Sequence, residues 1–221
     1  NLYRLNFEKK DTAFRFGCQI KADFRGNNID SLNGSVTLIN ARFHKTGKNY
    51  QLKNAVLNVS SSTDSSDIET IDLASELADI RLQGRYDFHT FMPSFKKILR
   101  DYMSNLVLRY DTATLFHNDN NFTFTAFLKK TKAFTNFFLP ELLISENTFI
   151  NGTYNPKAND INVSLSGNFI SYGSAQIDNI TLFSHTADSS IETTFGCDKL
   201  TLGEKMKIDR IFISGIMQHN T

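Results

Sequence analysis

The chain has 221 residues and a formal net charge of +1, enough length for one large β domain or two small ones and no overall field that would recruit nucleic acid. Twenty Phe, seven Tyr, three Pro and no Trp, with abundant Ser, Thr and Asn, favour strands over helices. No apolar run is long enough to cross a bilayer, since Phe137-Phe138-Leu139 stops at Pro140-Glu141. The abrupt start in strand-like sequence from Leu2 to Phe7 reads as a piece cut from a longer chain.

In chain order, even spacing of apolar residues from Leu2 to Phe24 predicts one or two strands, turned by Arg25-Gly26-Asn27-Asn28. Val36 and Leu38 then alternate with Thr37, Ile39, Ala41 and Phe43 before a turn at Lys45 to Asn49, and the polar tract from Ser60 to Asp67 predicts an exposed connection. Ile80, Leu82, Gly84, Tyr86 and Phe88 follow at period two. Phe91, Phe95, Ile98, Leu99 and Tyr102 fall at helical spacing, with Thr90 as N-cap and Pro93 in the first turn, and predict a helix of about three turns. Alternation returns at Leu106 to Tyr110 and at Phe122, Phe124, Ala126 and Leu128, the two joined through His117 to Asn121. Ala133, Phe134, Phe137 and Phe138 predict a second, short helix halted by Pro140. Thr148 to Tyr154 and Ile161 to Leu165 read as strands about the turn Asn155 to Asp160.

An internal repeat organises these elements. Gln51-Leu52-Lys53-Asn54-Ala55-Val56-Leu57 reappears 125 residues later as Gln176-Ile177-Asp178-Asn179-Ile180-Thr181-Leu182, and a third version is Lys207-Ile208-Asp209-Arg210-Ile211-Phe212-Ile213. Each has an apolar residue, two polar or small ones, then strict alternation, which reads as a strand entered through a turn or bulge. The repeat spans approximately 32–88 and 150–215 within a single β-rich unit of residues 1–221, with a helix-containing connection at 89–149. Function is therefore expected in a repeated sheet, not in one point site.

Chemistry-bearing constellations are sparse. His44, His89, His117, His185 and His219 are scattered, none beside a cysteine, where a metal would need a cluster. Glycines come singly, with no phosphate loop and no Gly-x-Ser-x-Gly elbow. Acidic pairs such as Asp64/Asp67 and Glu141/Glu146 lie in polar connections, where solvation explains them. Asn-x-Ser/Thr sequons at Asn58, Asn121, Asn151, Asn162 and Asn179 fill polar positions of alternating strands, where such matches arise by composition. Cys18 and Cys197 sit in the same tripeptide, Phe-Gly-Cys, and the sequence leaves two buried thiols and a disulfide equally open. No cofactor and no enzymatic activity are expected.

Three segments resemble the TamB proteins of the Bacteroidetes type: Asn120 to Lys130, Pro140 to Ile144, and Phe149 to Asn155. Ala74 to Tyr86 followed by the amphipathic stretch Phe91 to Tyr102 adds to the likeness, which covers approximately Ile29 to Gly215 and rests on order and spacing of strand positions. The resemblance implies a mostly β fold, an elongated, curled antiparallel sheet forming a β-taco-like trough with a hydrophobic groove, here with two short helices. It implies a periplasmic bridge of a Gram-negative bacterium, related to the AsmA-like and bridge-like lipid transfer proteins, that carries phospholipid between inner and outer membranes and takes part in outer-membrane biogenesis. It also implies an inner-membrane anchor through an N-terminal helix and a contact with a BamA/TamA-type barrel, both through parts of the chain not present here.

Groove candidates drawn from the alternating strands are Val36, Leu38, Leu57, Ile80, Leu82, Phe122, Phe124, Ile161, Val163, Leu165, Ile180, Leu182, Ile211 and Ile213, expected to meet phospholipid acyl chains. Two other readings are a scaffold for assembly of outer-membrane β-barrel proteins, whose edges pair with client strands, and a β-sandwich binding module with a packed interior.

Overall fold

The computed structural model describes residues 14–25, 33–45, 47–61, 69–87, 90, 119–158, 160–187 and 190–218. Twelve strands form one antiparallel sheet: β1 (Arg15–Arg25), β2 (Asn33–Lys45), β3 (Lys48–Ser61), β4 (Glu69–Ser75), β5 (Ala78–Arg85), β6 (Asn121–Leu128), β7 (Leu142–Ile144), β8 (Phe149–Asn155), β9 (Asp160–Tyr172), β10 (Ala175–Ala187), β11 (Ser190–Leu202) and β12 (Met206–Gln218). One helix, α1 (Thr131–Phe138), follows β6. The order β1-β2-β3-β4-β5-β6-β8-β9-β10-β11-β12 is a meander, with β7 set aside against the far half of β9. The sheet is not closed, and among the described residues no second sheet is stacked on it. The helix expected over Phe91 to Tyr102, the strand at Leu106 to Tyr110 and the turn beginning at His117 lie outside the described residues.

The flanking strands run to 13 or 14 residues, except β1 with 11, whereas β4, β5, β6 and β8 have seven or eight. The short central strands leave one end of the sheet uncovered, and α1 and β7 fill it. Phe134, Phe137 and Phe138 of α1 pack with Tyr50, Leu52, Ala41 and Phe43 of β2 and β3. Immediately beyond α1, β7 pairs with β9 through Leu142↔Tyr172 and Ile144↔Ile170. No side chain caps the start of α1. Its first turn is tied instead by the Thr131 hydroxyl, which donates to the Ile144 carbonyl at 2.7 Å.

Two local features take forms that the sequence did not specify. Ser75-Glu76-Leu77-Ala78 carries no Gly, Pro or Asn, yet it makes the β4–β5 hairpin. The Ser75 hydroxyl accepts from the Leu77 and Ala78 amides at 3.2 and 3.1 Å and donates to the Ala78 carbonyl at 3.0 Å, doing in side-chain hydrogen bonds what Gly or Asn does by conformation. The second feature is the interruption inside the repeat. Asn40, Asn179 and Arg210 take positive φ (50°, 51° and 55°) in the middle of long strands, where a residue with a Cβ rarely does so. The extra residue lets side chains three apart share a face, as Leu52 and Ala55 do in one cluster. The two best sequence copies differ here: Asn179 has positive φ but Asn54 does not, the role passing to Asn40 on the neighbouring strand.

Gly84 is a position that only glycine fits. Its φ is +138°, and a Cβ there would collide with the Asn121 carbonyl and sit 2.6 Å from the Phe122 Cα. Gly84→Ala is expected to lower stability by about 2 kcal/mol or more, from strain and cross-strand repulsion. Gly17→Ala, where nothing lies within 4 Å, should change it by less than about 0.5 kcal/mol. Urea midpoints of the two variants measure both.

Candidate functional site

Residues opposite one another across a strand pair share a sheet face, so register carries one row of side chains across the molecule. Ala22↔Val36, Val36↔Leu57, Leu57↔Leu73, Leu73↔Ile80 and Ile80↔Ala126 link β1 to β6. Ala126↔Ile150, Ile150↔Leu165, Leu165↔Leu182, Leu182↔Phe195 and Phe195↔Ile213 continue it to β12. Every member is apolar. At a strand spacing of about 4.8 Å, the row is roughly 48 Å long in the direction perpendicular to the strands.

One residue along each strand, the parallel row on the other face reads Asp23, Ser35, Asn58, Asp72, Arg81, Thr125, Asn151, Ser164, Phe183, Thr194 and Ser214. It is polar throughout except at Phe183, whose ring stacks on His185 with centroids 5.0 Å apart. Asp72 and Arg81 face each other across β4 and β5 in a bidentate ion pair of 2.7 and 3.1 Å. This is the alternation of a sheet with one wet and one apolar face.

All the groove candidates fall on the apolar face. Val36, Leu57, Ile80, Leu165, Leu182 and Ile213 stand in the row itself. Leu38, Leu82, Phe124, Val163, Ile180 and Ile211 lie two residues to one side or the other along their strands, and Phe122 and Ile161 close the face with Tyr154. Reasoning from the sequence missed Leu73, Ala126, Ile150 and Phe195, which belong to the same row. The signal for them was the same period of two.

The face is apolar but not packed away. No member of the long row is fully buried; Ile80 is 37 % exposed and Ile213 58 %. Beside the row Val59, Ile180 and Cys197 are buried, and buried residues gather in two clusters. One is the aromatic cluster under α1, where Phe137 is 4 % and Tyr50 8 % exposed, and the other is Tyr86, Phe122 and Tyr154. The Phe122 and Tyr154 rings stack with centroids 5.3 Å apart. Beside the second cluster, buried Asn120 accepts from the Asp87 amide at 2.7 Å and donates to the Thr90 hydroxyl at 3.1 Å, tying the start of β6 to the end of β5.

Two open depressions lie beside the interruptions of the repeat. One, of about 320 Å³, is lined by Lys53, Asn54, Val56, Ala74, Ser75, Glu76 and Lys129. The other, of about 470 Å³, is lined by Asn179, Thr181, Gly196, Cys197, Asp198, Arg210, Ile211 and Phe212. Cys18 and Cys197 are free, on β1 and β11 at distant places in the sheet. Among the described residues no three His, Cys, Asp or Glu side chains gather as a metal-binding group, and no helix is long and apolar enough to cross a membrane. Comparison with protein-family models, with curated proteins and with solved structures finds no match to this chain.

The end cluster has a pH signature. Burial, and secondarily the Glu76 carboxylate, disfavour the phenolate of Tyr50 and push its pKa from 10.0 up to about 12. A folded value above the unfolded one means that the stabilisation is complete below about pH 10 and is lost as pH rises through about 12. Tyr50→Phe is expected to flatten the fall in stability between pH 10 and 12, read from urea midpoints. The wild-type phenolate absorbance titration should contain a late component that the variant lacks.

Proposed function

We propose that the chain is a non-enzymatic segment of a periplasmic bridge protein of TamB type, in which the apolar face of the sheet, curled into a trough, carries phospholipid acyl chains between inner and outer membranes. One observation supports this above the others. The row from Ala22 to Ile213 is apolar on every strand of the meander and none of its members is fully buried. A folded protein does not ordinarily leave so extended an apolar surface without an occupant.

The physical terms suit a sliding lipid. Each methylene removed from water contributes about 0.8 kcal/mol, so covering half of a sixteen-carbon chain gives several kcal/mol with no polar contact. Successive strands offer near-equivalent Leu, Ile, Val and Phe positions about every 4.8 Å, so a step from one to the next breaks no hydrogen bond. A leaflet is about 15 Å of hydrocarbon, and a row of roughly 48 Å has room for about three acyl chains end to end. In this reading contact with a BamA/TamA-type outer-membrane barrel belongs to other parts of the chain.

Photocrosslinking in cells tests it. A benzophenone side chain at Leu182 or Ile180 is expected to capture phospholipid, while one at Thr181, on the other face, captures none. Lipid on Thr181 alone would reverse the face. Absence of lipid at all three positions, in a protein that still folds and functions, would overturn the conduit and favour a scaffold for outer-membrane protein assembly.

A further inference from the structure

We propose that the outer edge of β12 is a selective docking site for an extended polypeptide strand that carries the repeat's own interruption, with an acidic residue facing Arg210. The inference does not depend on the lipid reading. It rests on how the interruption passes from strand to strand.

Wherever two interrupted strands meet, both pass over the same number of residues at the same level and the register is unchanged. Between β2 and β3, Asn40 and Lys53 lie between Ile39↔Asn54 and Ala41↔Leu52. Between β9 and β10, Asn168 and Asn179 lie between Phe169↔Asp178 and Gly167↔Ile180. From β10 to β11 two residues on each strand, Asn179-Ile180 and Cys197-Asp198, lie between Asp178↔Lys199 and Thr181↔Gly196, and from β11 to β12 Asp198 and Arg210 lie between Lys199↔Asp209 and Cys197↔Ile211. In each case one partner has positive φ (Asn40, Asn179 or Arg210) and the other does not. The rule therefore alternates, and β12 is a positive-φ strand.

The two edges of the described sheet differ in this respect. At the β1 edge the line ends: Cys18 alone stands opposite Asn40 and Ala41, and the register shifts there. Among the described residues the line is still present at β12, where Arg210 lies opposite Asp198. A plainly alternating strand laid against β12 would match its faces on one side of Arg210 and invert them on the other. A strand of the β11 kind, with Cys197-Asp198-Lys199-Leu200, matches both sides. Asp198 also supplies the chemistry: it accepts from Asn179 at 2.6 Å on one flank and shares a depression with Arg210 on the other. A second acidic residue on the outer flank of Arg210 repeats that arrangement with complementary charge. A second β12 does not, because it sets Arg210 against Arg210 and positive φ against positive φ. The side chains such a strand would cover are among the most exposed apolar groups in the molecule: Phe212 at 75 %, Ile216 at 64 % and Ile213 at 58 %. Long apolar edges of this kind are templates for strand addition.

The test is fluorescence anisotropy of labelled synthetic peptides against the 221-residue chain under reducing conditions. The parent peptide is the sequence Ser190–Leu202 of β11. One comparison peptide lacks the residue corresponding to Lys199, which restores plain alternation and keeps the acid; the other carries Asp198→Lys. The parent is expected to bind, the deletion to weaken binding by about tenfold or more, and Asp198→Lys to weaken it by an amount that shrinks with added salt. The protein variant Arg210→Asp should reverse the preference between the parent peptide and the Asp198→Lys peptide, which assigns binding to β12. Equal binding of parent and deletion peptides, no binding of the parent, or a preference untouched by Arg210→Asp would each overturn the proposal.

Discussion

Parity is the constraint on which this structure depends. A strand turns successive side chains to opposite faces, so a one-residue slip anywhere along the meander would replace the row Val36-Leu57-Leu73-Ile80 by Ser35-Asn58-Asp72-Arg81. An inserted residue in one strand has the same effect locally. The molecule nevertheless carries insertions in its long strands and survives them because they occur in step. Asn179 and Asp198 sit at one level, so the strands on either side of them keep both register and face. Where the step is not matched, at Cys18, the register shifts.

The same parity explains where the molecule is packed and where it is not. A single sheet can bury an apolar face only if something lies on it. Here α1 lies on one end, bringing three Phe rings onto Tyr50 and Phe43, and the Tyr86, Phe122 and Tyr154 cluster forms the other end. Between these clusters the side chains along the row are only partly buried. Polar groups near the packed end are satisfied locally. The Ser145 hydroxyl accepts from the Phe169 amide at 3.1 Å and lies 3.0 Å from the Thr148 hydroxyl, which itself donates to the Ser145 carbonyl at 2.8 Å. The fold thus separates two tasks: its ends hold the sheet together and its middle presents a surface.

That separation shapes the functional reading. A point site would concentrate charge, strained backbone and convergent polar atoms in one cleft. This chain spreads its irregular residues along lines that serve the register, and it spreads its apolar residues along rows perpendicular to the strands. A ligand suited to such a surface is long, flexible and apolar. A partner suited to its edge is another strand that obeys the same parity.

Much of this was legible in the residues themselves. Period two in Phe122 to Leu128 and in Ile161 to Leu165 assigned side chains to faces within each strand, and the stripe Phe134, Phe137, Phe138 before Pro140 specified the short helix. The apolar-x-x-apolar motif marked the interruption, although not that Asn40 would take the positive φ in place of Asn54. These are local properties, set by backbone sterics and side-chain spacing over a few residues. Tertiary structure alone decided which strands are neighbours: that β6, from within the connection between the repeats, stands at the centre of the sheet, that β7 gives way to β8 against β9, and that Ser75 closes a hairpin without Gly or Pro. Strand adjacency depends on hydrogen bonds between residues distant in the chain. That is why the sequence could name the members of each face while only the folded sheet could align them into one row.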